Sequence, residues 1–183
     1  DLFEVVLVDN GGTTPSIQQY SGRKHIRAET LPKNFGFAGG NNRVLPKLNG
    51  EFVFLLNQDT VLHPTCLEEI LDYLLAHPEK TVASGNMKMV ATHAEIDSHK
   101  PISTVGFYKT SPLGHVVFQE IRTEAQGIEV DFVSGNALAF HQSIVEDIGG
   151  VLFDEELGSY MEDLDLSMRL DRAGYRLAVV SKA

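Results

Sequence analysis

Three groups of residues in this chain have types and spacings that suit chemistry. The first is Asn57-Gln58-Asp59-Thr60, which follows the apolar run Phe52-Val53-Phe54-Leu55-Leu56. A carboxylate at the carboxyl end of a buried strand, beside Asn57 and Thr60, can hold a divalent cation through hard oxygen ligands. Mg²⁺ commonly takes one or two carboxylates and fills its other positions with water and substrate phosphates. The same four residues also make a good turn, and Asp9, at the end of an earlier apolar run, is open to the same two readings. The second group is Asn34-Phe35-Gly36-Phe37-Ala38-Gly39-Gly40-Asn41-Asn42, whose glycines let a backbone turn sharply or approach a ligand closely. A phosphate cradle is one use of such a loop, although the spacing is neither G-x-G-x-x-G nor the P-loop pattern. The third is Glu162-Asp163, ahead of Leu166, Leu170 and Ala173 at i, i+4 and i+7, with Gly174 as the stop. Asp163 lies three residues before Leu166 on the same side, so its carboxylate is aimed at the protein. The N–H groups and dipole of a helix start favour its ionised form. Acidic residues in a first turn are also ordinary helix starts.

The elements needed to position these groups can be read in order. Residues 3–8 form a valine-rich run that reads as a strand buried on both faces, ended by Asp9-Asn10-Gly11-Gly12-Thr13-Thr14-Pro15. A short helix over 16–24 and a strand over 26–31 follow. A helix after the glycine loop runs through Val44, Leu45 and Leu48, with Pro46 an oddity inside it. Strand 51–56 leads to a capping box, Thr65-x-x-Glu68, and to a helix striped by Leu67, Ile70, Leu71, Leu74 and Leu75. Strand character returns over 81–90, 130–140 and 175–180, and Ser143-x-x-Glu146 caps a short helix closed by Gly149-Gly150. Between 91 and 127 the periodicity fades around His93, His99 and His115, with one hairpin suggested by Phe107, Tyr108 and residues 116–118. A weakly patterned insertion of that length inside a domain is usually functional or mobile. Strands alternating with helices predict one α/β domain over 1–183 with a largely parallel sheet. Ligands of such sheets bind beyond the carboxyl ends of the strands, which gathers Asp9, Asn57 to Asp59 and the glycine loop on one rim.

Composition narrows the function classes. With 183 residues and 43% hydrophobic content the chain is one soluble-type domain. No apolar run approaches the roughly 20 residues of a membrane span, and the opening residues do not read as a signal peptide. A net charge of −10 argues against a nucleic-acid partner and suits a small anionic ligand bound through a metal ion or backbone amides. The single cysteine, Cys66, forms no internal disulfide, which suggests a reducing, cytoplasmic setting. The histidines show no metal-ligand spacing.

In order along the chain, five segments resemble a known family: Val8-Asp9-Asn10-Gly11-Gly12-Thr13, Asn34 to Asn41, Leu55-Leu56-Asn57-Gln58-Asp59-Thr60, Val133-Ser134-Gly135-Asn136 and Glu162-Asp163-Leu164-Asp165-Leu166. Together they look like a family 2 glycosyltransferase with the GT-A fold, in its rhamnosyltransferase-like branch, over nearly the whole chain except 91–127. The resemblance implies inverting transfer of a sugar from a nucleoside diphosphate donor, dTDP-rhamnose or a UDP-sugar, to a hydroxyl of a glycan or lipid-linked acceptor in polysaccharide or glycolipid synthesis. By the match, Asp9, Asn10, Asn34, Gly36, Gly39, Gly40, Asn41, Asn57 and Gln58 line the nucleotide pocket. Asp59 holds Mg²⁺ or Mn²⁺ on the diphosphate, and Gly135, Asn136 and Glu162 border the acceptor. Asp163 is the general base. The physics suits those roles, because the leaving diphosphate gathers charge that a cation stabilises and the attacking hydroxyl loses a proton that a carboxylate takes up.

Against that family the chain lacks a counterpart of the first strand and helix, whose strand lies mid-sheet, and it stops before a metal-binding histidine common after the last strand. Both ends therefore read as truncated. The competing readings are an inactive nucleotide-sugar-binding or assembly fragment, and a nucleotidyltransferase, for which neither glycine stretch supplies a basic residue. The expected setting is the cytoplasm or the inner face of the membrane, with peripheral association and homo-oligomer formation both open.

Overall fold

The computed structural model describes residues 3–12, 15–20, 22–78, 80–87, 105–110, 116–157 and 160–183. The expectations for His93, His99 and His115, for most of the 91–127 insertion and for strand residues 88–90 lie outside them. Strands β1 (Val5–Asp9) and β2 (Ile26–Thr30) pair in parallel, joined through a 3-10 turn, Pro15–Tyr20. A separate five-stranded sheet has the order β3-β8-β4-β9-β7. Its members are β3 (Phe52–Leu56), β4 (Thr81–Gly85), β7 (Gly127–Glu129), β8 (Ala137–His141) and β9 (Arg176–Val180). The expected hairpin is present as β5 (Val105–Thr110) and β6 (Val116–Ile121), paired with each other. Helices α1 (Gly36–Val44), α2 (Cys66–Ala76), α3 (Ile144–Asp147) and α4 (Glu162–Arg172) complete the set of described elements.

Register explains the layering. Val53 faces Phe140, Phe140 faces Val82, and Val82 faces Leu177, so one row of large side chains crosses four strands. That row packs with Ala38 and Leu45 near α1 and with Leu166 and Leu170 of α4. One position along, Ala139, Ala83 and Ala178 form a row of methyl groups on the opposite face. The small side chains let α2 seat Cys66, Ile70, Tyr73 and Leu74 against the sheet. The outer stripe of α2, Leu67, Leu71 and Leu75, is exposed.

The structure corrects several local expectations. The sheet is mixed: β1–β2 and β4–β9 are parallel, whereas β8 and β7 run against their neighbours. Strand β1 is not buried on both faces; Val5 and Val8 are 37% and 38% exposed and Phe3 59%. The physical reason is that, among the described residues, β1 pairs with β2 alone in a two-stranded sheet separate from the one that holds β3. Neither capping box forms. Thr65 and Ser143 make no side-chain bond to their helices, because the hydroxyls meet His63 and His141 two residues upstream, at 3.0 and 2.7 Å. The expected strand over 130–140 is shorter, with β8 starting at Ala137. Pro46 sits in the first turn of a new 3-10 segment, Leu45–Lys47, where its missing N–H costs nothing.

Candidate functional site

Antiparallel β8 enters the sheet at the rim where β3 leaves it, since Leu56 pairs with Ala137. The turn holding Gly135 and Asn136 therefore faces the Asn57 to Asp59 turn. Asn57 donates from its side-chain amide to Asn136 Oδ1 at 2.8 Å, and its backbone N–H donates to the Asn136 carbonyl at 3.0 Å. Asp59 is exposed, and among the described residues its carboxylate accepts no hydrogen bond. Gln58 is exposed beside it.

The glycine segment is the first helix rather than a loop before one. Asn10 organises its start: Oδ1 accepts from the Phe35 N–H at 3.0 Å, and Nδ2 donates to the Gly36 carbonyl at 2.7 Å and to Asn34 Oδ1 at 3.3 Å. Asn34 Oδ1 also accepts from the Gly36 N–H at 2.8 Å, and Asn41 donates to the Phe37 carbonyl at 2.9 Å. Asp9 accepts from the Gly12 N–H at 2.6 Å, folding the β1 end into a tight turn. A Cβ at Gly40 would lie 2.9 Å from the Asn10 amide, and one at Gly39 would lie 2.8 Å from Arg43 and 3.0 Å from Glu155. These two glycines give room to side chains of the protein itself, a use the sequence pattern does not reveal.

Asp163 stands half-buried in the first turn of α4. Burial is the largest influence on its carboxyl and pushes it above the ordinary 3.8; the Gly135 backbone N–H pulls the other way, Glu162 adds to the rise, and the Asp163 and Leu164 N–H groups lower it. The Leu164 contact to Oδ1 is 3.0 Å. Desolvation thus outweighs the helix start that was expected to favour ionisation. Glu162 turns back to accept from the Met161 N–H at 2.8 Å.

All five sequence segments are thereby joined. Asn10 holds the start of α1, Phe37 of α1 lies against Gly135, the Gly135 backbone N–H lowers the Asp163 carboxyl, and Asn136 is tied to Asn57. Phe37 also packs on Phe153 at 5.2 Å between ring centroids. Asn42 and Arg43, which help build this arrangement, were assigned no role from the sequence. Asn42 binds both backbone groups of Phe153, at 2.8 and 3.1 Å, and Arg43 pairs with Glu155 at 2.9 Å while lying 3.7 Å over the Phe35 ring. Phe153 and Glu155 lie more than 100 residues along the chain from these two, beyond the reach of any local pattern.

The donor set permits one mode of metal binding. Among the described residues no three His, Cys, Asp or Glu side chains converge as a metal cage. One exposed carboxylate at a strand end, Asp59, fits a Mg²⁺ or Mn²⁺ held jointly with ligand phosphates and water.

A family model described as Glycosyltransferase like family 2 matches residues 5–183. The chain belongs to this family. The family 2 chain is 26% identical over 211 residues to N-acetylglucosaminyl-diphospho-decaprenol L-rhamnosyltransferase of Mycobacterium tuberculosis, covering 98% of this chain and 64% of that relative. It therefore spans less than two thirds of the curated relative it matches. Staphylococcus aureus TarS residues 1–349 superimpose with a TM-score of 0.67 at 22% identity, covering all of this chain and 50% of that one. GalNAc-T7, crystallised with UDP, GalNAc and Mn²⁺, gives 0.74 at 10% identity, over 98% of this chain and 36% of that one. The mannosyltransferase PcManGT from Pyrobaculum calidifontis, in complex with GDP-Man and Mn²⁺, gives 0.60 at 18% identity, over 97% and 47%. These likenesses establish the GT-A fold for the family 2 chain.

Proposed function

We propose that this chain is the donor-binding and catalytic domain of an inverting glycosyltransferase. It moves a sugar from a nucleoside diphosphate, dTDP-rhamnose or a UDP-sugar, to a hydroxyl of a glycan or lipid-linked acceptor. The observation that carries the reading is the path from Asn57 through Asn136 and the 133–136 segment, bound through Ser167 to Asp163, which gives a cation-capable rim and a half-buried carboxylate one shared frame.

In this reading Asp9, Asn10, Asn34, Gly36 and Asn41 form the nucleotide wall, Gly39 and Gly40 make room for the side chains behind it, and Asn57 and Gln58 lie at the diphosphate. Asp59 holds Mg²⁺ or Mn²⁺, which when bound stabilises charge gathering on the leaving diphosphate. Gly135, Asn136 and Glu162 border the acceptor. Asp163 accepts the proton of the attacking hydroxyl as the new glycosidic bond forms on the face opposite the leaving group. A carboxyl raised above its ordinary value is a stronger base than a free aspartate, closer in affinity to the proton it must take. The 26% identical relative acts, by its name, on a decaprenol-linked substrate, which supports a lipid-linked acceptor met at a membrane surface. Among the described residues no helix is long and apolar enough to cross a bilayer.

The test is calorimetric titration of UDP and dTDP with and without Mn²⁺, followed by assay of dTDP-rhamnose hydrolysis. Binding at least 10-fold tighter with Mn²⁺, lost in Asp59→Asn, together with hydrolysis, is the expected result. Metal-dependent binding without turnover favours a binding domain, and no nucleotide binding overturns the proposal.

A further inference from the structure

Ser167 lies in the interior of α4, fully buried between Leu166 and the neighbouring turn that leads to Leu170. The position is unusual for its residue type. Serine is a poor choice for a helix interior, because its hydroxyl competes for backbone hydrogen bonds. Alanine would fill the same apolar site with better helix propensity. The hydroxyl is nevertheless fully engaged. It donates to the Asp163 carbonyl at 2.8 Å, one turn back, and accepts from the Val133 N–H at 3.2 Å. Val133 is itself buried, so its N–H has no water to turn to.

These two bonds tie the Val133 backbone through the Ser167 hydroxyl to the Asp163 carbonyl in the first turn of α4. Two residues further along the chain is Gly135, whose backbone N–H lowers the Asp163 carboxyl. The segment 133–136 is irregular and has no sheet ladder to fix its height over the helix. At its far end Asn136 is tied to Asn57 on β3. Ser167 is the side chain that fixes its near end to α4.

We propose that Ser167 is a positioning residue for Asp163. It fixes the 133–136 segment to the first turn of α4, so that the Gly135 N–H meets the carboxylate at a set depth and direction. It touches no reacting atom. The functional part of this inference rests on the proposed role of Asp163 as base; the structural part does not.

The charged neighbour that Asp163 feels among the described residues is Glu162, on its own helix, and the 133–136 segment presents backbone and uncharged side chains. Losing the Gly135 donor therefore removes a group that lowers the Asp163 carboxyl, and its titration moves up. The experiment is carbon NMR titration of aspartate carboxyls in the full chain, with the Asp163 signal assigned by its disappearance in Asp163→Asn. It compares the wild type with Ser167→Ala and with Ser167→Cys, which keeps the volume with a weaker donor and serves if the alanine variant does not fold. Hydrolysis of dTDP-rhamnose against pH is measured on the same samples.

The expected result is an Asp163 titration moved upward in Ser167→Ala and less so in Ser167→Cys. The acid limb of the hydrolysis profile moves with it, and kcat falls about 10-fold with KM for the donor within twofold, the pattern of a displaced acid–base group. An unmoved Asp163 titration and an unmoved pH profile, with only a lower melting temperature, would reduce Ser167 to a structural residue and overturn the inference. The two readings separate cleanly. Wild-type hydrolysis in Asp163→Asn would end the base assignment, while the carboxyl shift in Ser167→Ala would still report the positioning.

Discussion

At the residue scale the decisive balance is at Asp163. Burial raises its carboxyl and the N–H groups of Gly135, Asp163 and Leu164 lower it, with burial the larger effect. The consequence for stability follows from proton linkage. A carboxyl raised above 3.8 in the folded state holds a proton that the unfolded chain has released, so stability falls as pH rises from 3.8 through the folded value. Above that window the ionised group is a standing cost. Asp163→Asn is therefore expected to melt at a higher temperature than the wild type at pH 7, with the gain disappearing below pH 3.8; differential scanning calorimetry at several pH values checks it. A residue that destabilises the fold where it is ionised is the usual compromise of a functional group. Gly11 shows the opposite kind of requirement. Its φ of +77° and the Lys33 backbone 2.1 Å from where a Cβ would stand leave no room for a side chain. Gly11→Ala is expected to cost about 3 kcal/mol or more in urea unfolding.

At the element scale, α2 separates what packing requires from what it leaves free. The alanine row Ala139, Ala83 and Ala178 sets how closely the helix approaches the sheet. Ala83→Leu is expected to lose about 1–3 kcal/mol through overpacking, whereas Leu71→Lys, on the exposed stripe, changes stability by less than about 0.5 kcal/mol; chemical denaturation of both variants is the check. Much at this scale was legible from the sequence. Apolar runs gave β3 and β9, the leucine stripe gave α2, and the Leu166, Leu170, Ala173 spacing gave α4, because each pattern reflects a local period. The failures have a common physical origin. Whether a serine or threonine caps a helix depends on competing partners, and histidines two residues upstream took both hydroxyls. Whether β1 is buried depends on which strands flank it, which its own residues do not encode. The glycines of α1 suggested close approach by a ligand, but the neighbours at Gly39 and Gly40 are Arg43, Glu155 and Asn10, two of them distant in the sequence.

At the scale of the whole molecule, a chain of net charge −10 has a rim suited to an anionic diphosphate. Two basic residues near α1 are paired, Arg43 with Glu155 and Lys47 with Glu29. In the proposed function a diphosphate is met by backbone N–H groups, amide side chains and a cation on Asp59, so donor affinity is expected to depend on Mn²⁺. The division of the sheet between β1 and β3 leaves the nucleotide-side turn at Asp9 held to the rest by contacts such as Asn10 with Phe35 and Glu4 with Asn49, at 3.0 and 2.7 Å. Those bonds, together with Phe37 against Gly135, carry the alignment of donor wall and base. The central claim, that Asp163 performs proton transfer in a site built by all five segments, is tested most directly with Asp163→Asn. Donor affinity from Mn²⁺-dependent nucleotide titration and turnover from dTDP-rhamnose hydrolysis are measured on one sample. The account predicts affinity within twofold of wild type and a loss of turnover of at least about 100-fold, as expected for removal of a general base. Turnover near the wild-type rate, or affinity and turnover lost in equal measure, would contradict it.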